Sequence, residues 1–378
     1  MSTFSGLFEE IPFISADRFD GENLRSKIFF LSHCHMDHMR GLDRPEGLPG
    51  PLYTSAVSRV LVRKQFPNVQ DVRVLEIGSA EEISYESDGE EYRVVVTALP
   101  ARHCPGSIML LIQYRELKIL YTGDFRLTKA DLDSKFASLR QLEPDVVYLD
   151  SSFLKKCYPE FPTQTESIKK ICDLITEWTS ISPQHKVIIR IPAQYGSEFL
   201  FMEIGRKLKQ KIYVANEQLE KYIFFPDMDQ CISSNLKECN IFSLQKHEKG
   251  MFGSFHYRII QPSALFWKNW TRGQPICKEE NKNTIRVAYS SHSSYTELKD
   301  FIEFVKPKKV QLNVVSKMPE EMYKCLDEIL GELEQSSKER KEPAIVKSRF
   351  DNLFRVPNSG YNRKYEEPIR MPIKRVKL

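Results

Sequence analysis

A chain of 378 residues with 41% hydrophobic content is long enough for two domains with buried cores. The net charge is +4, but residues 338–378 hold twelve Lys/Arg against five Asp/Glu, so the remainder carries about −3 and is not uniformly basic. The eight cysteines form no paired framework, which favours a reducing compartment, and we expect neither a secretory leader nor a membrane span.

In chain order, the first part of the sequence predicts mainly strands. These are residues 28–32, 94–99, 108–112, 118–120 and 145–150, with one helix at 57–66. After residue 150 helices and strands alternate, which is typical of a parallel sheet covered by helices. The helices are predicted at 165–179, 197–209, 295–305 and 320–334, and the strands at 186–191, 211–215, 284–289 and 310–315.

The most informative motif follows the first of these strands and contains His33, His35, Asp37 and His38. Burying three imidazoles and a carboxylate at a strand end is costly unless a partner compensates, and a metal ion is such a partner. Because side chains alternate along an extended segment, His33 and His35 face the same way, and the turn directs Asp37 and His38 toward a second ion. Nitrogen and oxygen ligands favour Zn²⁺ or Mn²⁺. The alternative is a solvated loop with incidental histidines.

Further candidate ligands stand beside other predicted strands. His103 lies between residues 94–99 and 108–112, Asp124 follows residues 118–120, and Asp17 is near a third strand end. His103 alone would be read as a satisfied core histidine, but the upstream cluster favours a ligand. Gly123 would allow a close backbone approach to the metal, and Asp124 could bridge two ions.

Taken in order, these residues match the four motifs of the metallo-β-lactamase fold. The segments at residues 14–25, 103–107 and 121–127 resemble the DNA-repair nucleases of its β-CASP branch, and the resemblance covers roughly residues 10–316. It implies an α/β protein, a metallo-β-lactamase αββα sandwich with an inserted β-CASP α/β domain. The expected divisions are residues 1–155 (first part of the sandwich), 156–283 (insert), 284–335 (return segment) and 336–378 (basic, mobile tail).

The resemblance also assigns motifs beyond the metal ligands. Asp150 matches an acidic β-CASP motif, although it could be an ordinary strand-end aspartate. His292, Ser293 and Ser294 precede a predicted helix and could bind phosphate, while Ser294 could equally be a helix N-cap. Val315 stands where RNA-processing relatives carry a metal-binding histidine, which favours DNA.

The resemblance implies a metal-dependent phosphodiesterase that acts on DNA in repair. His33, His35, His103 and Asp124 would hold the first zinc ion, and Asp37, His38 and Asp124 a second, weaker one, with Mg²⁺ or Mn²⁺ able to support activity. The catalytic set is Asp37, His292, Asp17 and Asp150, with His292, Ser293 and Ser294 contacting the substrate phosphate. Expected partners are single-stranded, hairpin or overhang DNA and, by resemblance only, a DNA-repair protein kinase or ligase complex.

The sequence leaves several alternative functions open. Exonuclease relatives carry a lysine where Ser197 stands, so we expect an endonuclease with some 5′ exonuclease activity, against a mainly 5′–3′ exonuclease. An RNA endonuclease, a small-molecule hydrolase and a non-catalytic repair scaffold are disfavoured. Residues 372–378 resemble a nuclear-import signal rather than an ordinary basic end, which predicts a nuclear location. A structural zinc in the insert is disfavoured against ordinary buried cysteines and surface histidines; its candidate ligands are Cys231, Cys239, His247 and His256. Three aromatic residues of the insert could stack on unpaired bases, although core packing is favoured for them: Tyr195, Phe266 and Trp267.

Overall fold

The computed structural model describes residues 3–87, 89–191, 196–222, 225, 227–243, 255–315 and 319–339. The import-like segment at 372–378, the tail from residue 340, Tyr195 and His247 lie outside the described residues. Within these ranges no helix is long and apolar enough to cross a membrane.

Two sheets form the sandwich. The first has four parallel strands in sequential order: β1 (Ile14–Ala16), β2 (Ile28–Leu31), β3 (Leu52–Thr54) and β4 (Val72–Val74). The second contains β5 (Ala80–Ser87), β6 (Glu90–Pro100), β7 (Ile108–Tyr114), β8 (Leu117–Tyr121), β9 (Val146–Leu149) and, from late in the chain, β17 (Lys309–Leu312). Its order is β17-β9-β8-β7-β6-β5, so the return strand completes one edge.

The alternation of side chains along β2 explains why the two sheets pack together. Ile28 and Phe30 lie in the core shared with β6, β7 and β8, whereas Phe29 and Leu31 face the opposite layer. Helix α1 (Ala56–Gln65) contributes to that opposite layer. The outer face of the second sheet is covered by α2 (Lys129–Asp133), α6 (Tyr295–Val305) and α7 (Pro319–Glu339).

A third, seven-stranded sheet occupies the middle of the chain. Its strands are β10 (His185–Ile189), β11 (Ile212–Tyr213), β12 (Ile232–Ser233), β13 (Ile241–Ser243), β14 (His256–Ser263), β15 (Cys277–Asn281) and β16 (Thr284–Ala288). The order is β12-β11-β13-β10-β14-β16-β15, and only β15 is antiparallel to its neighbour. Helices α3 (Gln164–Thr179), α4 (Glu198–Leu208) and α5 (Asn216–Tyr222) accompany it, and five short 3₁₀ helices complete the described elements: Gly21–Arg25, Met36–His38, Ala137–Gln141, Met228–Gln230 and Leu236–Glu238.

The third sheet includes a strand beyond the expected end of the insert at residue 283. Strand β16 pairs in parallel with β14, so residues 284–288 are hydrogen-bonded into the insert rather than into the return segment. We therefore propose that the insert extends to Ala288 and that the chain returns to the sandwich after it. The predicted helices at 57–66, 165–179, 197–209, 295–305 and 320–334 are confirmed as α1, α3, α4, α6 and α7.

Candidate metal centre

The predicted ligands come together because each follows the end of a different strand. Asp17 follows β1, residues 33–38 follow β2, His103 follows β6, and Asp124 follows β8. Gly123 has a φ of +52°, and a Cβ there would lie 2.7 Å from Ser32 Oγ, so only glycine lets the end of β8 approach the end of β2 this closely. The glycine thus serves contact between two strand ends, and a close backbone approach to an ion stays a prediction.

Four side chains form a compact first group: His33, His35, His103 and Asp124, whose ligand atoms all lie within 4.8 Å of one another. His103 Nε2 is 3.0 Å from His35 Nδ1, and Asp124 Oδ2 is 3.7 Å from both His33 Nε2 and His103 Nε2. Ligand atoms about 2.0–2.1 Å from a tetrahedral zinc ion are separated by roughly 3.3 Å. These separations therefore fit one zinc-sized ion.

The hydrogen bonds of the imidazoles point to the same conclusion. The Nδ1 atoms of His33 and His103 are held by Ser32 Oγ and Ser291 O, each at 2.9 Å. The buried Nε2 atom of His33 has no hydrogen-bond partner among the described residues. Burial and the adjacent imidazoles hold the pKa of His33 well below its usual value, so the ring is neutral, as a metal ligand must be.

A second group shares Asp124 with the first. His38 Nε2 lies 3.3 Å from Asp124 Oδ2 and 4.0 Å from Asp37 Oδ2, and it too is buried without a hydrogen-bond partner among the described residues. The Asp37 side chain is 30% exposed, whereas that of His38 is 2% exposed. The arrangement is compatible with a second ion that Asp124 would bridge and that is more open to solvent than the first.

Asp17, expected among the catalytic residues, lies behind the ligands. Its Oδ2 accepts hydrogen bonds from Tyr121 OH, Ser32 Oγ and His38 Nδ1, at 2.7, 2.5 and 2.8 Å, and its Oδ1 accepts one from Ser32 N at 2.7 Å. Asp17 also has a left-handed backbone, with a φ of +56°. Both oxygens are thus occupied, and Asp17 fixes the ring of His38 so that Nε2 faces Asp124.

Asp150 plays a comparable part toward His292. Its Oδ2 is 2.8 Å from His292 Nδ1 and accepts a bond from Phe125 N, while Oδ1 accepts one from Ser152 N. His292 Nε2 is consequently directed toward Asp124 Oδ2, at 3.9 Å. Although burial opposes the charged form, Asp150 and Asp124 raise the pKa of His292 to about 9. The pair brings a protonated imidazole to the rim of the ligand group.

The two serines of the expected phosphate site have other contacts. Ser293 is buried, and its hydroxyl donates to Phe125 O. Ser294 is the N-cap of α6 in a capping box with Glu297, the alternative considered for it from the sequence. Both hydroxyls therefore position the loop that carries His292, and direct phosphate contacts from Ser293 and Ser294 stay predictions.

This geometry can be compared with known proteins. A family model described as DNA repair metallo-beta-lactamase matches residues 228–318. Protein artemis of Mus musculus is 33% identical over 351 residues, covering 83% of this chain and 48% of the relative. The 5′ exonuclease Apollo of Rattus norvegicus is 28% identical over 291 residues, covering 75% of this chain and 50% of the relative.

The chain carries a DNA-repair metallo-β-lactamase segment at residues 228–318 and is similar to DNA-repair metallo-β-lactamase proteins over most of its length.

This similarity and the three sheets confirm the predicted fold class, a sandwich with a β-CASP insert. A crystal structure of a protein of unknown function from Enterococcus faecalis shares this fold, with a TM-score of 0.53 and 14% identity over 78% of this chain and 76% of that chain. The chain spans about half the length of the curated relatives it matches.

Reasoning from the sequence missed a buried arginine beside the candidate ligands. Arg126 donates to Ser290 O, Pro162 O and the carboxylate of Glu297, at 2.9, 3.0 and 3.1 Å. It therefore ties the loop after β8 to the loop of His292 and to the entry into the insert. The signal in the sequence was its position two residues after Asp124, but the sequence could not show what it contacts.

The insert also contributes to the site through the start of α4. A Cβ on Gly196, which has a φ of +97°, would lie 2.7 Å from His35 Nε2, so the backbone packs directly on this ligand. Gly196 N donates to Glu198 Oε2 at 2.7 Å, and Glu198 is 1% exposed. Ser197, where exonuclease relatives were expected to carry lysine, is buried beside them.

The remaining candidates lie apart from the metal groups. Cys231 and Cys239 are buried in the insert, and His256 lies beside His185. Among the described residues, groups of three or more potential ligands occur at the strand ends already named and not in the insert. Trp267 is buried, whereas Phe266 is 41% exposed.

Proposed function

We propose that this chain is a metal-dependent DNA nuclease that hydrolyses phosphodiester bonds in DNA repair. The observation that carries the proposal is the convergence of His33, His35, His103 and Asp124 on one zinc-sized space, with His38 beside them. The family description and the exonuclease named among the relatives support a nucleic-acid substrate.

Asp37 and His292 have different roles in the proposed hydrolysis. When bound, a divalent metal supplies a polarised phosphate and a water acidic enough to react at neutral pH. Asp37, the partly exposed carboxylate of the second group, orients the attacking water and accepts its proton. His292, held by Asp150, donates a hydrogen bond or a proton to the phosphate oxygens.

We propose zinc for the first group, where the separations fit four-coordinate geometry. The second group, with a more exposed carboxylate, is proposed to bind its ion more weakly, so that Mg²⁺ or Mn²⁺ can also support activity. Val315 supports DNA over RNA as substrate: it packs against the core of helices α6 and α7 and offers no ligand to the second ion. A nuclear location and a repair kinase or ligase as partner are proposals by resemblance.

Replacing Asp37 tests the nuclease assignment. Asp37→Asn should abolish cleavage of end-labelled hairpin and overhang DNA while leaving the metal of the first group and thermal unfolding unchanged. Asp43→Asn is the matched control, because Asp43 is an exposed aspartate on the same loop. Wild-type turnover by metal-loaded Asp37→Asn protein would refute the mechanism, and absence of cleavage by the unmodified protein with Zn²⁺, Mg²⁺ and Mn²⁺ would refute the function.

The balance between internal and end cleavage depends on the start of α4. Ser197 is uncharged and buried at the rim of the site, so no lysine at this position selects a terminal phosphate. We therefore propose mainly internal cleavage near single-strand/double-strand junctions, with some 5′ exonuclease activity. Because a relative is named a 5′ exonuclease, the second candidate is a mainly 5′–3′ exonuclease.

The variant Ser197→Lys separates the two candidates. It should gain preference for 5′-phosphorylated ends by about 5- to 150-fold, the effect of one charged contact worth about 1–3 kcal/mol. The measurement is the ratio of rates on phosphorylated and hydroxyl ends, for both proteins at fixed salt. A strong 5′-phosphate requirement and stepwise end digestion by the unmodified protein would favour the exonuclease.

A further inference from the structure

The carboxyl ends of the parallel strands in the insert sheet lead into loops that lie beside the metal centre. Strand β16 leads into the loop of His292, and β10 precedes the segment that places Gly196 against His35. Strand β14 lies between these two and runs parallel to both. Because carboxyl ends of parallel strands share one edge of a sheet, the loop after β14 must emerge on the same side as His292.

That loop exposes two large apolar side chains. Leu265 is 70% exposed and Phe266 is 41% exposed, while the adjacent Trp267 is buried. Tyr158 OH donates a hydrogen bond to Leu265 O at 3.2 Å. The Tyr158 ring packs on the Phe153 ring, whose centroid is 6.1 Å from that of the His292 ring. The loop is therefore firmly anchored, and it is connected through two packed rings to the proposed catalytic histidine.

Cations accompany the exposed ring. Arg286 Cζ lies 4.7 Å and Lys278 Nζ 5.9 Å from the ring centroid of Phe266. The two are cross-strand partners on β16 and β15. The segment 264–286 holds five Lys/Arg against two Asp/Glu, although the chain outside the tail is net negative. An aromatic face flanked by cations matches an unpaired base with its adjoining phosphates.

We propose that Leu265, Phe266 and Lys278 form a binding surface for single-stranded DNA, which holds the unpaired flank of a substrate whose junction lies at the metal centre. The inference rests on the proposed function for the identity of its occupant. Phe266 stacks on a base, and Lys278 contacts a neighbouring phosphate. The surface accounts for a preference for junctions, because a duplex offers no unpaired base to the ring.

The same strand supplies a matched control. Phe255 precedes β14, is 43% exposed and has Lys186 Nζ 5.2 Å from its ring centroid. It resembles Phe266 in residue type, exposure and cationic neighbour. The eight residues of β14 place it roughly 26 Å away, at the opposite edge of the sheet.

The test measures binding without hydrolysis, by fluorescence anisotropy of a labelled oligo-dT and a blunt duplex with the full chain in EDTA at fixed salt. Phe266→Ala should weaken single-strand binding about 5- to 150-fold, Phe266→Trp should retain it, and Phe255→Ala should leave it within about twofold. Lys278→Gln should lower the salt dependence by roughly 0.7 in slope. Duplex binding should change in none of the aromatic variants.

Three outcomes would overturn the inference: unchanged single-strand affinity in Phe266→Ala, equal losses in Phe266→Ala and Phe255→Ala, or no binding of oligo-dT by the unmodified protein. The first is also the result expected if the surface contacts a protein. Binding is measured in EDTA and cleavage is measured separately with added metal. If oligo-dT binds through Phe266 but no metal supports cleavage, the proposed function is refuted and the binding surface is not.

Discussion

Glu198 gives a prediction whose size can be derived from the structure. The residue is 1% exposed, its Oε2 accepts a hydrogen bond from Gly196 N, and its Oε1 has no hydrogen-bond partner among the described residues. Burial raises the pKa of this carboxyl from 4.5 to about 7. Between these values the folded protein holds a proton that the unfolded chain has released.

The consequence for stability has a definite sign. Because the folded state binds the extra proton, the free energy of unfolding falls by about 1.4 kcal/mol per pH unit from pH 4.5 to about 7. The accumulated loss is about 3 kcal/mol. Glu198→Gln stays neutral and can still accept the bond from Gly196 N, so it should match the unmodified protein near pH 4.5–5 and exceed its stability by about 3 kcal/mol at pH 8.

Urea unfolding of the metal-free proteins at pH 5, 6, 7 and 8 measures this difference. Glu203→Gln provides a control on the same helix, since that side chain is 28% exposed and accessible to water. A stability difference between Glu198→Gln and the unmodified protein that is independent of pH, or a lower stability of Glu198→Gln at pH 8, would show that Glu198 does not bind the extra proton in the folded state.

Three further predictions follow from the groups behind the ligands. Asp17→Asn should weaken metal affinity about 10- to 100-fold, measured against a chelating dye, because it loosens the ring of His38; unchanged affinity would contradict this orienting role. Asp150→Asn and His292→Ala should each slow single-turnover cleavage, by roughly 10²–10⁴-fold for His292→Ala, and the double variant should be no slower than His292→Ala, whereas additive losses would show independent roles. Arg126→Leu should lower the free energy of unfolding by about 3–5 kcal/mol in urea, because it leaves the carboxylate of Glu297, whose side chain is 13% exposed, without its cation and removes the bonds to Ser290 O and Pro162 O; a loss below about 1 kcal/mol would argue against that ion pair.

The two buried serines Ser293 and Ser294 show that one local sequence pattern can fit two functions. The sequence around Ser293 and Ser294 fits a phosphate site and fits a helix N-cap equally well, because both use a hydroxyl or backbone N–H at a helix start. The structure shows the cap for Ser294, since its hydroxyl is buried and accepts from Glu297 N, and a phosphate contact at the same helix start stays a prediction. Phe266 and Trp267 are adjacent aromatic residues that the sequence does not distinguish. The structure does, because Phe266 is exposed and Trp267 is buried.

The sequence by itself determined the chemistry and the order of the elements. Histidines and aspartates directly after apolar runs predicted a metal site, since such groups are costly to bury without an ion, and the 3.6-residue and two-residue periodicities located α1, α3 and α6 within one or two residues. These features depend on neighbours along the chain, so they can be read without a fold.

Only the tertiary structure shows which polar groups face the candidate metal site and which stand behind it. Asp17 and Asp124 are both strand-end aspartates in the sequence, yet Asp17 is occupied by Tyr121, Ser32 and His38, while Asp124 faces the imidazoles. Contacts such as Arg126 with Glu297 join residues 171 positions apart. The partner of a buried polar group is set by packing between distant segments, and no local pattern specifies it.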